Sequence, residues 1–209
     1  DITYIPEEPS IVKSRPISYN NQNSIVMNLD KIRHFVFVND TIEFNKKKDI
    51  LIWRGGLYQD HRIKFVKKWF NNSKCDLGAV GCNSELVKYS KKKMTIKEQL
   101  EYKFILSIEG NDVATNTKWI MSSNSLCFMP MPKYETWFME GKLIPNYHFV
   151  LINEDYSNVE ELIDYYSKNT DEAKKIINNA NQYCKQFLNK EKEDLISLMV
   201  LDKYFTLTE

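Results

Sequence analysis

Short apolar runs, each followed by a polar loop and then an amphipathic segment, recur along most of this chain. Ile50, Leu51, Ile52 and Trp53 form the first, between Lys46-Lys47-Lys48 and Arg54-Gly55-Gly56. The next segment places Ile63, Phe65 or Val66, and Trp69 or Phe70 inward and Lys64, Lys67 and Lys68 outward, the period of a helix. Further strands are expected over residues 76–80, 103–108, 126–129 and 148–152. Thr95 and Glu98 have the spacing of a capping box, residues 114–122 read as a helix, and residues 134–139 as an aromatic helical turn behind Pro130 and Pro132. The last third is helical: Ser157 and Glu160 suit a capping box over Val159, Leu162, Ile163 and Tyr166. Thr170 then caps a longer helix burying Ala173, Ile176, Ile177, Ala180, Cys184, Phe187 and Leu188, and a final helix covers about residues 192–205.

Strands alternating with helices imply an α/β fold, a Rossmann-like parallel sheet flanked by helices with a helical C-terminal end. Ligands of such sheets gather at the carboxyl ends of the strands, where residues 54–62 and 109–118 fall. The beginning of the chain differs. Residues 1–22 carry Pro6, Pro9 and Pro16 with little periodicity and read as an extended, irregular arm. Residues 24–37 fit a short strand running into a helix. The opening Asp1-Ile2-Thr3-Tyr4 reads like the middle of a protein, so residues 1–45 are expected to be a remnant of an N-terminal unit packing on residues 46–209.

Composition narrows the chemistry. Lys plus Arg total 29 against 28 Asp plus Glu, a net charge of +1, so anion selectivity has to be local and no field points to nucleic acid. Cys75, Cys82, Cys127 and Cys184 form no CxxC pair, and His34, His61 and His148 are scattered, so zinc-site spacing is absent. GxSxG, Gly-Lys-Ser/Thr, HExxH and GxGxxG are absent as well. Two glycine-bearing strand-to-helix turns remain, one with Arg62 at its helix start and one with Glu109, Gly110, Asn111 and Asn116. That set suits a diphosphate held by an arginine and helix amides, with polar groups reading a ribose or base. Arg54 has two readings, ligand contact or a carboxylate partner; Glu109 has two, nucleotide contact or a cap on the next helix. Trp53, Trp119 and His148 read first as core, and Lys46 to Lys48 as a solvated run.

The segments Trp53-Arg54-Gly55-Gly56 with Arg62, Tyr102 through Gly110, Ser123 through Phe128, Trp137 through Phe149, and Asn158 through Leu162 together resemble glycosyltransferase family 90. This family includes Rumi-type protein O-glucosyltransferases, capsule-associated enzymes and bacterial lipopolysaccharide-modifying enzymes. Lys13-Ser14-Arg15-Pro16 and Arg33-His34-Phe35 look most like the bacterial branch. The resemblance implies a GT-B architecture, a UDP-sugar donor, and metal-independent inverting transfer to a hydroxyl of a cell-surface glycan such as lipopolysaccharide or capsule, in the cytoplasm or at the inner membrane face. It places residues 1–45 on the acceptor side, with Lys13, Ser14 and Arg15 near sugar or acceptor. Arg62 matches the arginine that neutralises the diphosphate, and Gly55, Arg54, Gly110 and Asn111 accompany it. Gly56 stands where others carry a serine, and Asn116 where Rumi-type members carry a second arginine, with Lys118 nearby as a further cation. Asp1 lies in the order of the family's base. Two rival readings remain: a non-catalytic nucleotide- or glycan-binding module on the same fold, and an interaction domain whose Gly55-Gly56 turn is packed shut.

Overall fold

The computed structural model describes residues 2–29 and 31–209. In chain order the elements are β1 (Ser10–Val12), β2 (Ser14–Pro16), β3 (Ser24–Val26), α1 (Lys31–His34), β4 (Lys48–Leu57), α2 (Asp60–Trp69), β5 (Cys75–Cys82), α3 (Ile96–Gln99), β6 (Tyr102–Leu106), α4 (Thr117–Met121), β7 (Leu126–Met129), β8 (Tyr134–Thr136), β9 (Val150–Leu151), α5 (Val159–Lys168), α6 (Thr170–Lys185) and α7 (Lys190–Thr208). Among the described residues, one parallel sheet runs in the order β5-β4-β6-β7-β9. Counted within that sheet the order is 2-1-3-4-5, which reverses direction between β4 and β6.

The sheet is buried on both faces, which is why its strands read as continuous apolar runs. Leu51 and Trp53 of β4, Phe104 and Leu106 of β6, and Phe128 of β7 enter one core with Phe65 and Val66 of α2 and Val159 and Ile163 of α5. The intervening Ile52, Ile105 and Cys127 enter the other, with Trp119 and Ile120 of α4 and Phe138. α6 serves both, through Ile176 and Ile177 on one side and Ala180 and Cys184 on the other.

Several expectations change. β4 continues through Gly55 and Gly56 to Leu57, so the glycine pair lies inside a strand, with a register shift against β5 and no positive φ at any glycine. Absence of Cβ matters there for space: a Cβ on Gly55 would stand 2.5 Å from the Trp53 indole. Residues 134–136 are a strand because they pair antiparallel with β2, Arg15 opposite Glu135, a partner no local pattern reveals. The arm is correspondingly ordered into short strands, β1 parallel to β3, with Val12, Val26 and Trp137 packing on Ile196 and Val200 of α7. Lys47 belongs to no solvated run: its ammonium is fully buried against Asp40 at 2.7 Å. The Thr95–Glu98 capping box forms. The capping box at Ser157 and the cap at Thr170 do not; Asn158 and Asn169 hold those N-cap positions without side-chain cap bonds, and α6 ends at Lys185, which leaves Leu188 exposed.

Candidate functional site

A polar cavity of about 320 Å³ opens at the carboxyl ends of β4 and β6, where the strand order reverses. This switch point is where doubly wound sheets bind ligands. β4 contributes Trp53 to Gly56, the start of α2 contributes Gln59 and Arg62, and the loop after β6 contributes Gly110, Asn111, Asp112 and Asn116. The N-terminal residues Lys13, Arg33 and His34 close the remaining side. The Gly55-Gly56 segment therefore borders an open cavity, contrary to the packed-shut reading.

Arg62 is the central cation. Its guanidinium donates from Nε to the Glu109 carbonyl at 2.7 Å, from Nη1 to Gly56 O at 3.1 Å, and from Nη2 to Ile108 O at 2.9 Å. These partners are neutral carbonyls, and no carboxylate pairs with Arg62 among the described residues. Burial lowers its pKa, yet an arginine stays charged at neutral pH. Three of five N–H groups are engaged, which leaves two for a ligand. Gly110 leaves room for the guanidinium: a Cβ there would lie 3.2 Å from Nη2. α2 begins beside it, and its N-cap Gln59 gives no side-chain cap, so first-turn amides and the positive end of the helix dipole face the same region.

The other expected residues divide. Asn116 lines the cavity but spends its amide on Leu106 O at 2.9 Å. Arg54 lines it too, although its Nη2 grips both oxygens of Asp76 at 2.9 and 3.0 Å, the carboxylate-partner reading. Burial opposes ionisation of Asp76, but Lys91 and Arg54 hold its carboxyl below the usual range. Lys118 is a correction. It is fully buried, its Nζ on Glu140 Oε1 at 2.6 Å and Thr136 Oγ1 at 3.1 Å, and it borders no part of the cavity. Arg15 pairs with Glu135 at 2.8 Å and lines a separate apolar groove beside α7 rather than this cavity. Lys13 does reach the cavity, and Ser14 lies buried behind it with its hydroxyl on Asp112. Asp1 lies outside the described residues.

Glu109 turns its carboxylate away, towards a neighbouring cavity of about 360 Å³ that shares Gly110 and Asn111 and is walled by Met131, Tyr134 and Tyr156. It caps no helix; instead it accepts the amides of Lys133 at 2.8 Å and Tyr134 at 3.2 Å. Burial pushes the carboxyl up to about 7, and those two amides only partly offset it. His61, which donates from Nε2 to the Glu109 carbonyl at 2.7 Å, joins this second cavity. Sequence reasoning missed Gln59, His61 and Asp112. Asp112 follows directly on the Glu109-Gly110-Asn111 turn, a proximity that could have marked it.

No group of three or more His, Cys, Asp or Glu side chains among the described residues is placed to hold a metal ion. No helix among them is long and apolar enough to cross a membrane. Among known proteins, the family model of glycosyl transferase family 90 matches residues 23–209. The O-glucosyltransferase LpsA of Dichelobacter nodosus is 46% identical over 209 residues, all of this chain and 66% of the relative's length.

Proposed function

The chain belongs to glycosyl transferase family 90, and from that membership we propose that it moves a sugar from a UDP-sugar to a hydroxyl of a cell-surface glycan, a lipopolysaccharide or capsule precursor. The transfer is inverting and needs no metal, and the architecture is GT-B, with residues 46–209 as the donor-side unit. The enzyme works in the cytoplasm, at the inner face of the membrane.

Arg62 is the observation that carries this reading. A partly buried cation satisfied only by neutral carbonyls is costly, and an anionic ligand offsets that cost. Its position beside the start of α2 at the switch point suits a diphosphate, whose negative charge grows as the sugar leaves. Without a metal, this guanidinium and the α2 amides supply the compensating charge. The adjoining cavity takes the nucleoside end, with the rings of Tyr134 and Tyr156 beside the base and the Glu109 carboxyl able to bond ribose hydroxyls. The name of the Dichelobacter relative, an O-glucosyltransferase, supports a hexose donor and a hydroxyl acceptor.

Calorimetric titration of UDP into the protein tests this. Arg62→Ala removes two charge-assisted bonds of about 1.5–3 kcal/mol each, so Kd should rise at least about 100-fold, with Arg62→Lys intermediate. No binding at millimolar UDP, or binding indifferent to Arg62→Ala in a variant that still unfolds cooperatively, overturns the proposal.

A further inference from the structure

We propose that Asp112, Lys13 and Gln59 form the subsite that reads the hydroxyls of the transferred sugar, an assignment that rests on the sugar-nucleotide reading above. The argument comes from acceptors. An ionised diphosphate offers only oxygens, so it can answer the N–H groups of Arg62 but nothing that itself needs a donor. The cavity holds a group of that kind.

Asp112 receives the Ser14 hydroxyl at 2.8 Å and the Lys13 ammonium at 3.2 Å, both on Oδ2. Oδ1 has no hydrogen-bond partner among the described residues, and Asp112 lines the cavity. Gln59 adds a second group. Its Nε2 donates to Asn111 Oδ1 at 2.9 Å, and its Oε1 is buried without a partner among the described residues. A hydroxyl donates and accepts at once, so it satisfies the Gln59 amide in either orientation and the Asp112 oxygen in its only one. Lys13 Nζ, which also lies 3.4 Å from His34 Nε2, adds donor capacity beside the carboxylate.

Charge places the two halves of the ligand. Asp112 repels phosphate and accepts from neutral hydroxyls, whereas Arg62 attracts phosphate. The anion therefore sits at the Arg62 end, and the uncharged, hydroxyl-rich sugar at the Asp112 end. The subsite joins residues 98 apart in sequence, because β2 carries Ser14, with Lys13 immediately before it, to the loop after β6. The arm thus takes part in choosing the donor.

The test is calorimetric titration of UDP and of UDP-glucose, UDP-galactose and UDP-xylose into wild type, Asp112→Asn and Lys13→Met. For the tightest of the three sugar nucleotides, Asp112→Asn should raise Kd about tenfold or more, the loss of one hydrogen bond to a charged group, while Kd for UDP stays within about threefold. Lys13→Met, on the arm and outside the sheet, should move the same ratio in the same direction and provides the comparison if Asp112→Asn fails to fold. A ratio of sugar-nucleotide to UDP affinity unchanged in the variants that fold overturns this assignment and leaves the diphosphate site standing. Failure of UDP itself to bind wild type overturns both.

Discussion

Lys118 and Glu140 meet in the interior with side chains 0% and 3% exposed, Nζ to Oε1 at 2.6 Å. Glu140 also accepts the Thr136 amide on Oε2 at 2.6 Å, and the Lys118 ammonium stands 5.4 Å from the Phe138 ring centre. Lys118→Met leaves Glu140 buried and uncompensated, a loss of about 3–5 kcal/mol. For a chain of this size that lowers Tm by roughly 6–20 °C. Lys118→Met with Glu140→Gln removes both charges together, while the Gln carbonyl still accepts from Thr136. The double variant should therefore recover at least half of the loss, with a coupling of about 1–3 kcal/mol in the cycle. Urea unfolding of wild type, both single variants and the double variant measures it. Nucleotide affinity should hardly change in any variant that folds. If Lys118→Met unfolds within about 0.5 kcal/mol of wild type yet weakens UDP binding, Lys118 contacts the ligand and the structural assignment is wrong.

Glu109 gives a pH signature. Its carboxyl titrates near 7 when folded against an ordinary 4.5, so the folded state binds the extra proton between those values and its contribution to stability falls as pH rises through that window. The change is at most about 3 kcal/mol, and urea midpoints at the two ends should show Glu109→Gln flattening that part of the profile; equal slopes in wild type and variant refute it. Gly55→Ala sets a methyl 2.5 Å from the Trp53 indole, which is itself 2% exposed and packed in the core. Overpacking of about 1–3 kcal/mol should lower Tm by roughly 2–12 °C in a thermal melt, and an unchanged Tm refutes the tight contact.

The parallel sheet was legible because strands buried on both faces keep runs of consecutive apolar side chains, as residues 50–53 of β4, 104–106 of β6 and 126–129 of β7 do. What was not legible depends on distant partners. Nothing near Tyr134 announces that β8 will pair with β2, 120 residues away at Arg15–Glu135, and an aromatic-rich segment alone fits helix or strand equally. Lys118 misled for a related reason. All five residues of α4 are buried, so no polar face distinguishes a ligand-facing lysine from one neutralised by Glu140. The place of Arg62 at the cavity was legible because it lies in the first turn of the helix that follows the glycine-bearing strand, where local sequence and topology carry the same information. Asp112 was not singled out because its importance comes from Lys13 and Ser14, which the arm delivers.

These placements change where the site's charge comes from. Along the chain, Asn116 stands where the resemblance expects a second arginine, which leaves Lys118 as the nearby cation beside Arg62. In the structure Asn116 is occupied with the Leu106 carbonyl, Lys118 with Glu140, and Arg54 with Asp76. The other basic side chains bordering the cavity, Lys13, Arg33 and His34, all come from the N-terminal segment. Lys13 is tied to Asp112, so its charge is balanced beside the group assigned to neutral hydroxyls, whereas Arg62 pairs with no carboxylate among the described residues. On the proposed donor site, binding depends on the arm as well as on the unit behind it: Arg62 of α2 meets the anion, and the arm supplies the polar wall around Asp112 and the Lys13 ammonium paired with it. A net charge of +1 conceals this polarity entirely, because the cavity's electrostatics are set by which charges are already paired.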